Sequence, residues 1–214
     1  MPASQSRAQP RQAMGATADV LAEVLRDGVN LAVWERRLPE RIEAFAAALV
    51  AMSGHLSESL TLELATEDAQ PDLAGLAAGY QAIEGHAEFV ADVVWLAQAY
   101  GCLLGARRIG LRLRVLDRTM CPRFHVDHVP LRLVITYAGF GSQWLTEGAM
   151  CRSGLGNPSA EPPNDAGVHQ LDCGHVALIK GEKWLDNEGA GLVHRSPPMA
   201  AGERRLLLTM DWLG

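Results

Sequence analysis

The chain has 214 residues, and 48% of them are hydrophobic, so it can bury a substantial core and form one compact domain. This composition excludes intrinsic disorder as its main state. The formal net charge of −6 at pH 7 disfavours nucleic acid and anionic membranes as partners, because no broad basic surface is available to neutralise phosphates.

Targeting and redox features are sparse. No uninterrupted apolar run reaches the ~18 residues that cross a bilayer, and no apolar segment follows the arginines of the first dozen residues, as it would in a secretion signal. We therefore expect a cytoplasmic protein without a membrane partner. The four cysteines are too few and too scattered for a disulfide scaffold, which leaves them as core thiols or metal ligands.

The first part of the chain is rich in Ala, Leu and Glu. Residues 1–16 carry Ser, Gln and Pro and are predicted to be a disordered tail, and residues 17–104 are predicted to be mainly helical. In chain order, the predicted elements are a helix over 17–27, a strand over 29–34, a helix after Pro39, a strand over 60–64 and a helix over 84–104.

From residue 105 to residue 214 the composition shifts toward Gly, Pro, Arg and β-branched residues. Short strands without intervening helices predict a sandwich, a jelly roll or a barrel. Residues 146–170 are predicted to be a long loop, and loops of that length are often binding loops or lids. The predicted strands cover 109–116, 131–137, 176–179, 191–194 and 205–210.

A His-x-Asp motif in this second part suggests a metal site. Residues two apart in a strand point to the same face, so the side chains of His125 and Asp127 would project together. With one more ligand they would form the two-histidine, one-carboxylate triad that holds Fe(II) and leaves positions open for substrate and dioxygen. His194 is the natural third candidate, because it ends a short apolar strand and strands distant in sequence can be neighbours in a barrel.

The His-x-Asp motif, the distal histidine and a basic residue ten or eleven positions later together resemble the iron(II)/2-oxoglutarate-dependent dioxygenases. This resemblance covers residues 105–214 and implies a double-stranded β-helix, a jelly-roll or cupin-like fold, in that half. Together with the helical N-terminal half predicted from the composition, we expect an α+β protein in which that half packs on the C-terminal β-helix. It implies Fe(II) and 2-oxoglutarate as cofactors and oxidation of a small-molecule or protein substrate. It also implies that Arg205, or Arg204 as second choice, pairs with the distal carboxylate of 2-oxoglutarate, with the Tyr137 hydroxyl as a further donor.

A second resemblance covers most of the chain. The segments CPRFHVDHVPLRLVITYAGFGSQW, ALIKGEKW and GLVHRSPPMAAGERRLLLTMD are similar to a bacterial family known only as a domain of unknown function. Members of that family are often encoded beside zinc-responsive metallochaperone GTPases. The resemblance therefore implies a link to zinc homeostasis and to such a GTPase, and it implies no particular reaction.

The sequence leaves two alternatives open. Cys121, His128, Cys173 and His175 crowd the same half of the chain, and thiolates together with imidazoles favour zinc over iron. These residues predict, as the alternative function, a non-catalytic zinc-binding protein of metal homeostasis. A simpler alternative is that the histidines and the aspartate form only a hydrogen-bonded polar cluster inside a β-sandwich.

Overall fold

The computed structural model describes residues 9–52, 54–64, 70–157, 159, 161–162 and 166–214. Two α-helices occur in these ranges, α1 (Glu40–Met52) and α2 (His86–Leu104). The strands are β1 (Arg11–Gly15), β2 (Val29–Trp34), β3 (Ser57–Glu63), β4 (Arg108–Leu116), β5 (Leu131–Ala138), β6 (Gln143–Leu145), β7 (Val168–Gln170), β8 (Val176–Lys180), β9 (His194–Arg195) and β10 (Arg205–Trp212).

The strands form two sheets. The larger sheet has seven strands in the order β1-β2-β8-β5-β10-β4-β3, and the smaller has three in the order β7-β6-β9. All neighbours are antiparallel except β1 and β2. Strand β10 lies between β4 and β5, with Leu208 opposite Leu113 on one side and Ile135 on the other. The chain thus combines a large β-sheet with few helices.

Alternation along the strands gives the large sheet two different faces. Leu206, Leu208 and Met210 of β10 point into the main core beneath α1 and α2, whereas Leu207 belongs to a smaller apolar cluster that includes Trp144 of the small sheet. We call these the helix-covered face and the inner face. Side chains at alternate positions of β10 therefore enter different environments.

The composition predicted a helical N-terminal half, and this prediction is wrong. Strands β1, β2 and β3 all come from this half and belong to the large sheet. Part of the predicted tail is strand β1, and the predicted helix over 17–27 is a 3₁₀ helix, Ala18–Leu25. Strand β1 escapes local prediction because it has no regular burial alternation and is held at the sheet edge by pairing with β2. Residues 1–8 of the predicted tail lie outside the described residues.

Other predicted elements are present with shifted ends. The helix after Pro39 is α1, the helix over 84–104 is α2, and the strand predicted over 191–194 is reduced to the two residues of β9. The segment 146–170, predicted to be one long loop, contains a short 3₁₀ helix, Arg152–Gly154, and strand β7. Residues 158, 160 and 163–165 of that segment lie outside the described residues.

Helix α2 is long and apolar enough to cross a membrane by length and composition, with a mean hydropathy of 1.3. Core helices of globular proteins pass the same test. Phe89, Val93 and Leu96 of α2 are buried in the main core, and Asp92 forms a bidentate ion pair with Arg36. Packing against the sheet therefore accounts for the apolar character of this helix.

Candidate metal centre

Two histidines and one aspartate converge between the sheets. His125 and His194 face each other in an antiparallel bridge, with backbone N–H···O distances of 3.0 and 2.9 Å. Asp127 Oδ1 lies 3.6 Å from His125 Nε2, and Asp127 Oδ2 lies 3.3 Å from His194 Nε2. One ligand atom from each residue lies within 4.8 Å of the other two, a spacing that suits a single bound cation.

Both imidazole rings direct their Nε2 atom toward the carboxylate of Asp127. His125 Nδ1 lies 2.9 Å from the carbonyl oxygen of Arg123, and His194 Nδ1 lies 3.1 Å from that of Leu192. A carbonyl oxygen only accepts, so each Nδ1 carries its proton and donates it. In the neutral rings each Nε2 is then left with a free lone pair, which is the form that binds a metal.

A buried charge network holds the carboxylate. Arg132 donates from Nη1 to Asp127 Oδ2 at 2.7 Å, and its Nε donates to Asp211 Oδ1 at 2.6 Å. Arg112 also donates to Asp211. Burial alone would raise the pKa of Asp127, but His125 and His194, whose Nε2 can donate to the carboxylate when the rings are protonated, and the charge of Arg132 hold this pKa well below its usual range. Asp127 is therefore ionised over the whole physiological pH range.

The segment that carries Asp127 depends on a close backbone approach. Gly181, which follows β8, accepts no side chain, because a Cβ there would lie 2.4 Å from the carbonyl oxygen of Asp127 and 2.2 Å from that of Val129. The same approach lets the backbone N–H of Glu182 donate to the Asp127 carbonyl at 3.0 Å. The end of β8 thus fixes the main chain of the candidate ligand.

Arg205, at the start of β10 on the inner face, is a buried cation that forms no ion pair with any residue in the described ranges. It is 1% exposed, and its Nη2 lies 3.3 Å from both Thr136 Oγ1 and Ser142 Oγ. Its Nε and Nη1 have no hydrogen-bond partner in the part of the chain that the structure describes. Burial lowers the pKa of Arg205 to about 10, so the side chain still carries its charge at pH 7. Gly139 lies against it with φ +83°, where a Cβ would be 2.8 Å from Arg205 Cβ.

Two residues predicted to assist Arg205 lie elsewhere. Arg204 points away from the inner face and donates to the carbonyl oxygens of Val50 and Gly54, at 2.6 and 3.1 Å. The hydroxyl of Tyr137 donates to Asp92 Oδ2 at 2.6 Å on the helix-covered face. The structure therefore does not bring either side chain to Arg205, because successive residues along an extended chain point to opposite faces of a sheet.

The alternative zinc ligands are not gathered into one site. Within the described ranges, His125, Asp127 and His194 form the only group of three or more His, Cys, Asp or Glu side chains spaced to hold one metal ion. Cys121 lies beside Ser196, to whose Oγ its backbone N–H donates. His175 is engaged in a local turn, where its Nδ1 accepts from the backbone N–H of Asp172. Cys173 and His128 are exposed.

Four residues that the structure places around the candidate centre and Arg205 were not identified from the sequence. Arg132 and Thr136 lie on the inner face of β5, Asp211 on that of β10, and Ser142 just before β6. The sequence carries a partial signal for three of them, since a charged or hydroxyl side chain at an inward position of an otherwise apolar strand needs a partner. The identity of that partner depends on strand pairing and could not be read in advance.

Comparison with known proteins identifies a family and, separately, structures with a similar fold. The model of a family described as "Protein of unknown function (DUF1826)" matches residues 15–211. The crystal structure of the dioxygenase for auxin oxidation (DAO) in rice is 16% identical over 96% of this chain and 83% of that chain, with a TM-score of 0.52. The crystal structure of JOX2 in complex with 2OG, Fe and JA is 9% identical over 95% of this chain and 74% of that chain, also with a TM-score of 0.52. No curated protein matches the chain.

At such low identity these likenesses concern the fold alone. The large sheet, the small sheet and the few helices are arranged as in 2-oxoglutarate/iron oxygenases. The substrates of those proteins say nothing about this one.

Proposed function

Because this chain belongs to DUF1826, a family whose function is unknown, its own side chains must define its chemistry, and we propose that it is an iron(II)- and 2-oxoglutarate-dependent oxygenase. His125, Asp127 and His194 would hold the metal, and Arg205 would hold the cosubstrate. The observation that carries the proposal is the convergence of two imidazole nitrogens and one carboxylate on a single point.

The donor set fits Fe(II). Two neutral imidazoles and one carboxylate are the ligands of non-haem iron oxygenases, and three protein ligands leave positions for a cosubstrate and dioxygen. The side chains of Asp127 and His194 are about 10% exposed, whereas that of His125 is 33% exposed and lies on the open side. The Nδ1 hydrogen bonds of the histidines keep each Nε2 directed at the metal position.

The surroundings of Arg205 fit the distal carboxylate of 2-oxoglutarate. A buried guanidinium with two unpartnered nitrogens is costly in an apolar interior unless an anion completes its hydrogen bonds. A carboxylate matches the planar guanidinium fork, and the hydroxyls of Thr136 and Ser142 beside it supply further donors. No carboxylate of the described residues forms an ion pair with Arg205, so the anion has to come from outside.

The chain would bind, orient and shield the reactants. When bound, iron and 2-oxoglutarate supply the oxidising power for attack on an unreactive bond of the substrate. Arg132 donates to Oδ2 of Asp127 and helps to keep that carboxylate ionised. The buried side chains of Phe124, Leu145 and Val193 pack together beside the histidines and keep water from that side of the site.

The experiment is a metal and cosubstrate titration of the wild type and two variants. Under anaerobic conditions the wild type should bind one Fe(II) and then 2-oxoglutarate, and in air it should form succinate. His125→Ala should abolish metal binding, whereas Arg205→Ala should keep the metal and lose 2-oxoglutarate affinity by ~10–100-fold, as expected for removal of a charged hydrogen bond.

Two outcomes would contradict the proposal. If His125→Ala binds metal as well as the wild type does, the ligand assignment is wrong. If the purified protein retains zinc through chelation and forms no succinate with iron, the non-catalytic zinc-binding function is favoured instead.

A further inference from the structure

A cavity on the inner face shares one lining residue, Arg132, with the candidate centre. Its volume is about 350 Å³, within the range of small-molecule sites. Strand pairing places Leu207 opposite Arg114 and Thr209 opposite Arg112, so two guanidinium groups rise from β4 beside β10. The cavity is lined by Arg112, Arg114, Met120, Arg132, Leu207 and Thr209.

The cavity adjoins the metal position through one side chain. Arg132 lines it and at the same time donates to Asp127, the candidate metal ligand. The side chain of Arg112 is 42% exposed, so the cavity opens to solvent on the β4 side.

The positive charges of this cavity are not fully balanced. Asp211 accepts from both Arg112 and Arg132, and Asp127 accepts from Arg132. Arg114 makes no ion pair with any described residue; its Nη1 lies 3.5 Å from Met120 Sδ, and its buried Nε has no hydrogen-bond partner there. One guanidinium therefore remains unneutralised beside the site, in a chain whose formal net charge is −6.

The proposed cofactors do not remove this excess. A divalent metal and the dianion of 2-oxoglutarate cancel each other in charge, and Arg205 already provides a buried partner for the distal carboxylate. Arg114 is thus left with an unused fork that fits a planar anion. Met120 and Leu207 offer apolar contacts beside it.

We infer that this cavity binds the substrate, and that the substrate is a small organic acid whose carboxylate pairs with Arg114. The inference rests on the proposed oxygenase function. Arg112 adds a second positive charge at the entrance, where it attracts anions from solution. The apolar part of the acid lies against Met120 and Leu207, in the cavity that shares Arg132 with the candidate centre.

Binding of a carboxylate probe to the Zn(II)-loaded protein, saturated with 2-oxoglutarate, tests the inference without turnover. Phenylacetate is the probe, phenylacetamide is its neutral match, and phenyl phosphate is a second anion. Methyl-labelled methionine reports on the cavity by NMR, with the Met120 signal assigned through Met120→Leu. Phenylacetate should shift that signal saturably and bind ~10–100-fold more tightly than the amide does, because one partner of the hydrogen bond is charged.

Variants of two arginines locate the effect. Arg114→Gln should remove the preference for phenylacetate over the amide, and Arg112→Gln should weaken it less. Arg204→Gln is the matched control, because that side chain binds backbone carbonyls outside the cavity and should leave the preference unchanged. The 2-oxoglutarate affinity should stay at the wild-type value in Arg114→Gln.

Several results would overturn the inference. Equal affinity for the acid and the amide would do so, as would a clear preference for phenyl phosphate, which would make the substrate a phosphate ester. If Arg114→Gln loses 2-oxoglutarate instead, the cavity is the cosubstrate site, and the oxygenase function stands while the substrate class falls. If neither wild type nor variants bind 2-oxoglutarate, the proposed function itself fails.

Discussion

The two faces of the seven-stranded sheet treat buried charge in opposite ways. On the helix-covered face, Arg36 donates through both terminal nitrogens to Asp92, at 2.7 Å each, and the Tyr137 hydroxyl donates to the same carboxylate. On the inner face, Arg205 and Arg114 keep buried nitrogens without a partner in the described residues. The first network is complete within the chain, and the second is not.

This difference separates structural from functional polar groups. A closed network stabilises the fold, because each charge that left water has gained hydrogen bonds in return. An open network destabilises the free protein and favours binding of the missing anion or cation. Residue type alone does not distinguish the two cases, since arginines and aspartates occur in both.

The largest expected effect on stability comes from removing the anion of the complete network on the helix-covered face. Asp92→Asn leaves the buried Arg36 without its countercharge and should lower the free energy of unfolding by ~3–5 kcal/mol. Metal and 2-oxoglutarate affinities of the folded fraction should not change. Chemical denaturation measures the first quantity and calorimetric titration the second; a loss of metal affinity would show that the two faces are coupled.

Removing part of the charge network behind the metal ligand should have a smaller effect. In Asp211→Asn, Arg132 loses one of its two ionic partners, so less of its positive charge is neutralised beside Asp127. We expect metal affinity to fall by ~10-fold, the lower end of what loss of such outer contacts costs. Competition with a chromophoric chelator measures it, and an unchanged affinity would show that Asp211 only stabilises the strand pairing.

Replacing the open cation by an apolar side chain should cost little stability. Arg205→Met removes a buried charge that has no anionic partner among the described residues. The free energy of unfolding of the metal-free variant should therefore equal that of the wild type or exceed it by ~1 kcal/mol or more. Its 2-oxoglutarate binding should be lost. A strong destabilisation in Arg205→Met would indicate that this arginine has a structural role like that of Arg36.

Substitution of Arg204, the residue next to Arg205, should have the smallest effect. Arg204→Ala removes hydrogen bonds to two backbone carbonyls near the surface and should change stability by less than ~1 kcal/mol, with 2-oxoglutarate affinity unaltered. Measured beside Arg205→Ala, it tests whether strand alternation assigns the two residues to different faces. Equal losses of 2-oxoglutarate affinity in the two variants would contradict that assignment.

The sequence predicted the elements that have a strong apolar periodicity. It did not predict the strands that are ordered only by hydrogen bonds to a neighbouring strand. Helices α1 and α2 and strands β4, β5 and β10 have long apolar periodicities, so local sequence determines them. Strand β1 and the two-residue β9 carry little pattern of their own and exist through hydrogen bonds to β2 and β6. The prediction of a helical first half failed because strands from that half, β1 and β3, form both edges of the large sheet.

The sequence by itself determined which residue types were present for chemistry: a His-x-Asp pair, a distal histidine and a pair of arginines. Only the tertiary structure decided which of them meet, because His125 and His194 are joined by strand pairing across 69 positions of the chain. It also decided that Arg205 and not Arg204 lies on the inner face, since the direction of a strand side chain follows the register of its sheet. The missing partner of a buried charge is a property of three-dimensional packing, and no local pattern encodes it.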